Sequence, residues 1–119
     1  MSENNCQNNK NFPPIDYDSV LKRIDGDKDF LKELIQIYID DFSEKFNALR
    51  SSIEKNNFEL IKEKAHSIKG ASANLSLSGL KEASYQLEIA GKEKNIEKAK
   101  EFLEILEKEF KKFKEFLKK

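Results

Sequence analysis

Ala65-His66-Ser67-Ile68-Lys69-Gly70-Ala71-Ser72-Ala73-Asn74-Leu75 is the stretch around which the rest of the chain can be read. Ile61, Ala65, Ile68, Ser72 and Leu75 alternate spacings of four and three, so they share one face of a helix, and that face reads as core. His66, the sole histidine, falls just beside it. Lys69 and Gly70, three and four residues further on, lie on the histidine's side of the helix, and Ala73 continues that second stripe.

Gly70 carries much of the information. A glycine in a helix interior costs roughly 0.5–1 kcal/mol relative to alanine, and no helix end is signalled nearby. One turn from a histidine, it removes the side chain that would crowd the imidazole. Lys69 puts a positive charge within reach of whatever the ring carries. The set suits a nucleophilic imidazole that another protein approaches closely and leaves holding an anion. Two plainer readings stand beside this one. A lone histidine in a helical protein is usually structural, and a helical glycine also serves close packing of two helices.

The flanking sequence supplies more helices. Residues 1–14 contain five asparagines and a Pro-Pro pair, with little that could pack, and read as a disordered lead-in. A short helix is expected from Asp16, with Val20, Leu21 and Ile24 on one side; Asp25-Gly26-Asp27 breaks it, and Asp27 can cap the next. The second helix, roughly Asp27 to Lys55, has the stripe Phe30, Leu31, Leu34, Ile35, Tyr38, Phe42, Phe46, Leu49 and Ile53. Asn56 with Glu59 resembles a capping box for a third helix from about Phe58 to Leu75. Ser76-Leu77-Ser78-Gly79 reads as a turn, with Ser78 a cap for a fourth helix that buries Leu80, Ala83, Leu87 and Ala90 and closes at Gly91. The last helix starts near Ile96 and carries Ala99, Phe102, Leu103, Leu106, Phe110, Phe113 and Leu117. Short connections between long amphipathic helices imply antiparallel neighbours. The expected fold is all-α: an up-down-up-down four-helix bundle over residues 15–119, with an additional short N-terminal helix.

Composition narrows the function. The 22 basic and 22 acidic residues cancel, which argues against a general nucleic-acid binder whose affinity rests on neutralising phosphates. No apolar run approaches the roughly 20 residues of a membrane span, and no secretory signal is visible. Cys6 alone supports neither a disulfide framework nor a thiolate metal site, and one histidine leaves no His-based metal site. A cytoplasmic, metal-free monomer is expected.

The run His66-Ser67-Ile68-Lys69-Gly70-Ala71-Ser72-Ala73-Asn74-Leu75, followed by Leu87-Glu88-Ile89-Ala90, resembles the histidine-containing phosphotransfer (HPt) domains of multistep phosphorelays. The resemblance extends more weakly to Gly26-Asp27, Leu31, Leu34 and Phe42. It implies a bundle fold with His66 as phospho-acceptor, Glu88 as the group that orients the ring, and Lys69 offsetting the phosphoryl charge. Gly70, Ala71 and Ala73 would give access, and Lys92 occupies a position often basic in the family. An apolar docking surface built partly from the first short helix would draw on Ile15, Val20 and Ile24, which equally suit a cover for the bundle end. The sequence departs from the family pattern at Ser76, where a glycine commonly stands.

The implied partners are response-regulator receiver domains and a sensor or hybrid histidine kinase. Nothing in the chain resembles a glycine-rich nucleotide loop or a carboxylate cluster for Mg²⁺. The phosphoryl group would therefore come from a receiver's phospho-aspartate and pass to another receiver, the receivers supplying Mg²⁺. The chain would be a carrier rather than an ATP-using enzyme. Two other functions fit the same residues: a histidine module phosphorylated by a separate chemotaxis-type kinase domain, and a phosphorylation-independent helical adaptor. An ordinary solvated lysine remains the plain reading of Lys69 and Lys92, as does a surface ion pair for Glu88. The lysine-rich end from Lys108, interspersed with Glu109 and Glu115, reads as a wet helix face with favourable charge at a C-terminus.

Overall fold

The computed structural model describes residues 14–118, which form five helices and, among the described residues, no strand. They are α1 (Tyr17–Arg23), α2 (Lys28–Glu54), α3 (Phe58–Asn74), α4 (Ser78–Glu93) and α5 (Ile96–Leu117). Apart from Pro14, the residues read as a disordered lead-in lie outside the described residues.

Four long helices run up and down around one core. Tyr38 of α2 meets Ser72 of α3, Glu88 of α4 meets His66 of α3, and Phe110 of α5 stacks on Phe42 of α2. Each pairing joins antiparallel neighbours, and the last closes the ring. The stripes expected from periodicity are the buried faces: Ile61, Ala65, Ile68, Ser72 and Leu75 on α3, and Leu80, Ala83, Leu87 and Ala90 on α4. Phe30 departs from its stripe. It stands at the border of the apolar face of α2 and is exposed.

Every helix junction stops in the same way. Asp25, Asn56, Ser76 and Lys94 have φ of 56°, 54°, 56° and 55°, the left-handed conformation that ends a helix. The following N–H then reaches back to the carbonyl five residues earlier: Gly26 to Leu21, Asn57 to Ser52, Leu77 to Ser72 and Asn95 to Ala90. After three of the four junctions, that same residue is the N-cap of the next helix, so the turns are as short as a helical hairpin allows.

This arrangement corrects two expected caps. Asn57, not Asn56, caps α3, its side chain accepting from Leu60 N at 3.2 Å, because Asn56 is spent on the left-handed stop. Ser78 is the first residue of α4 rather than its cap. The cap position holds Leu77, whose side chain makes no capping bond and is fully buried instead. The carboxylate of Glu109, from α5, packs against Gly79 and puts negative charge at that N-terminus.

Gly91 is corrected as well. It does not end α4, which continues to Glu93; it lies inside the helix where α3 passes closest. A Cβ at Gly91 would sit 2.9 Å from Lys62 N and 3.0 Å from Phe58 O. Absence of a side chain here lets the two backbones touch. Of the two glycines, close packing thus belongs to Gly91, since a Cβ at Gly70 would meet nothing within 4 Å.

Ser76 takes the left-handed conformation that a glycine would adopt freely, and its hydroxyl finds work there. Arg23 Nη2 donates to Ser76 Oγ at 2.6 Å and to Asn74 O at 2.9 Å, while Ser76 Oγ donates to Ser19 Oγ at 3.1 Å. These bonds fasten α1 over the end of α3. Ile15 and Val20, each 1% exposed, complete the attachment from inside.

Candidate functional site

α3 and α4 pack along their length, and the groove between them gathers His66, Lys69, Glu88 and Lys92. The His66 side chain is 66% exposed. Ala65 and Ile68 anchor its helix in the core, while Gly70 leaves the space one turn beyond the ring empty. Lys69 is half-buried, and Ala71 and Ala73 line the same helix as small, half-buried residues.

Glu88 supports the imidazole from behind. Its residue is 6% exposed, held in place by Leu87 and Ala90 in the core. Oε2 lies 2.9 Å from His66 Nδ1, Oε1 lies 2.7 Å from Lys69 Nζ, and Lys92 Nζ stands 4.0 Å from Oε2. Burial, the largest influence, pushes the Glu88 carboxyl up, but the contacts from Lys69 and then His66 together outweigh it and hold it below its usual value. The carboxylate is thus ionised and can only accept, so Nδ1 carries the proton and donates it. In the neutral ring, Nε2 is left with a free lone pair on the exposed side. A lone pair so placed can act as a nucleophile.

The continuation of α4 past Gly91 brings Lys92 to Glu88. Lys92 is four residues beyond the carboxylate and 60% exposed along its side chain. Below the groove, Tyr38 and Ser72 share a buried 2.7 Å hydrogen bond. Burial pushes the Tyr38 phenol far above its usual value, so the pair stays neutral and structural.

The docking residues expected on the N-terminal segment need correction. Ile15 and Val20 are sealed in the core, so for these two the packing supports the reading as a cover for the bundle end, while Ile24 is half-buried. Among the described residues, the large apolar side chains that are exposed are Phe30 and Ile37 on α2 and Tyr85 on α4. Phe30 belongs to the apolar stripe of α2, whereas Ile37 and Tyr85 lie outside every stripe and motif of the sequence. Tyr85 precedes Glu88 by three residues, and helical spacing from Glu88 is the signal that would have found it.

The comparisons with known proteins agree with this architecture. The family model described as "Hpt domain" matches residues 33–116. The structure superposes on the crystal structure of histidine-containing phosphotransfer protein B (HptB) from Pseudomonas aeruginosa PAO1 with a TM-score of 0.80, at 21% sequence identity, covering 89% of this chain and 93% of that one. That likeness is one of fold. No curated protein matches the chain. The family match spans more than half of the sequence and takes in both helices of the groove, and on that ground the chain belongs to the Hpt domain family, the histidine phosphotransfer domains of phosphorelays.

Proposed function

We propose that the protein is a phosphorelay intermediate that accepts a phosphoryl group on His66 from the phospho-aspartate of a receiver domain and passes it to another receiver. The observation that supports this best is an exposed imidazole whose Nδ1 is committed to a buried, ionised glutamate, Glu88, 2.9 Å away.

The Nε2 lone pair attacks phosphorus, and the bond between phosphorus and the aspartyl oxygen breaks, releasing the carboxylate on the donor. The Nδ1 proton stays on the ring. As the N–P bond forms the ring gains positive charge, which Glu88 stabilises as a carboxylate does behind an activated histidine. Lys69 and Lys92 offset the charge of the phosphoryl oxygens. Receivers supply the Mg²⁺, and the chain uses no ATP of its own. Loss of the phosphoryl group to the second receiver is the reverse of its gain, so the same geometry serves both directions.

Gly70 lets the partner reach the ring, and Phe30 and Ile37, exposed on the helix that flanks α3 opposite α4, take part in docking in place of Ile15 and Val20. A cytoplasmic monomer completes the reading; no helix among the described residues is long and apolar enough to cross a membrane.

The test is transfer from a radiolabelled receiver. The expected product is acid-labile and base-stable on the wild-type chain and absent from His66→Gln. Label retained by His66→Gln overturns the assignment. Partner binding without any label transfer would instead leave the helical adaptor.

A further inference from the structure

Tyr85 belongs to none of the motifs that identify the family in this sequence. It is large, 44% exposed, and on the turn of α4 that precedes Glu88. Its ring centroid lies 5.3 Å from Lys69 Nζ, within the range of about 6 Å over which a cation is attracted to an aromatic face. The Lys69 ammonium therefore has two neighbours, the Glu88 carboxylate at 2.7 Å and the Tyr85 ring.

Lys92 provides the contrast. It belongs to the same groove and the same carboxylate, but at 4.0 Å, and its side chain is 60% exposed against 26% for Lys69. A lysine stem has many rotamers, and one exposed ion pair restricts them little. A second contact on another side of the ammonium restricts them further. Lys69 thus combines the shorter ion pair, the more covered side chain and the aromatic neighbour.

We propose that Tyr85 is a positioning residue: its ring and the Glu88 carboxylate clamp the Lys69 ammonium beside the imidazole, so that a fixed cation meets the anionic phosphoryl group arriving at His66. What the clamp serves rests on the relay reading; where the ammonium is held does not. The ring acts through Lys69 and touches no reacting atom.

A partner-free donor separates this role from docking. With phosphoramidate, the Nε2 lone pair forms the N–P bond, the P–N bond of the donor breaks, and ammonia leaves with the bonding pair. In the unphosphorylated protein, the Lys69 ε-methylene protons are expected upfield from the ring current in wild type and Tyr85→Phe, and at ordinary positions in Tyr85→Leu. The phosphoramidate rate is expected to fall about threefold in Tyr85→Leu, in keeping with an exposed cation–π contact. It should hold in Tyr85→Phe and show no further fall when Tyr85→Leu is added to Lys69→Ala.

Identical Lys69 signals in wild type and Tyr85→Leu overturn the proposal. So does a rate loss that persists in the Lys69→Ala background. A change confined to the apparent KM for a phosphorylated receiver, with the phosphoramidate rate unchanged, makes Tyr85 a docking residue and also overturns it. If wild type gains no phosphoryl group on His66 from either donor, the relay reading fails, and the Lys69 signals still decide the clamp.

Discussion

A methyl group added at Gly70 meets nothing within 4 Å, whereas at Gly91 it comes within 2.9 Å of the Lys62 backbone. Gly70→Ala is therefore expected to raise stability by about 0.5–1 kcal/mol, the helix-propensity gain, while slowing transfer from a receiver. Gly91→Ala is expected to lower stability by about 1–3 kcal/mol through overpacking. Denaturant melts and transfer assays on both variants check the pair. Glu88 has its own signature in pH. Its carboxyl lies below the usual value in the folded protein, so its contribution to stability is full above the unfolded range, near about 4.3, and is lost as pH falls through the lower folded value. The stability gap between wild type and Glu88→Gln should accordingly shrink as pH falls below about 4.3; a gap that stays constant or widens over that range contradicts it. His66, Lys69 and Glu88 were legible in the sequence because spacing within a helix places the first two and a family motif marks the third. Tyr85 and the packing role of Gly91 were not, because both depend on the register between α3 and α4, which no single helix encodes.

The helices are legible from their stripes and Asp27 from its place as a cap, but at two of the four junctions the cap stands one residue from its expected position. The reason is physical. A left-handed residue and a cap compete for the same short polar run, and sequence alone does not say which of Asn56 and Asn57 takes which part. At Leu77 burial won over capping, which polar-residue signals cannot anticipate. Ser76 shows how a departure from the family pattern is accommodated: the strained conformation is kept and its hydroxyl is bonded to Arg23 and Ser19. Arg23→Ala is expected to cost about 1 kcal/mol, the scale of a typical hydrogen bond once solvent exposure weakens the charge, and to loosen α1. Faster amide exchange over residues 17–23, with α3 and α4 unchanged, is the measurement that checks it.

Across the whole molecule, two halves of the bundle differ in chemistry. Phe42, Phe46 and Phe110 form a stacked ladder between α2 and α5, with Phe42 and Phe110 centroids 3.8 Å apart, while Tyr38 meets Phe113 edge-on. The polar groove lies between α3 and α4. Phe110→Ala is expected to cost about 3–5 kcal/mol and lower the melting temperature, yet leave the transfer rate near wild type at temperatures where the chain is folded. A large fall in transfer by the folded variant would show that the halves are coupled. Short connections made the up-down order readable from sequence. The closing contact of α5 on α2 was implied only by the phenylalanines on both stripes.

Lys62 stands one turn before His66 and Gly91 almost one turn past Glu88, so the two helices rest on each other directly beside the histidine–glutamate bond. The bare contact acts as a spacer block: it sets a gap that one glutamate side chain just spans. A chemically silent thickening of that block would pull the acceptor from the imidazole without altering any group that reacts. The proton on Nδ1, and through it the readiness of the far nitrogen, is in this sense gauged by the thickness of a residue that has no side chain at all.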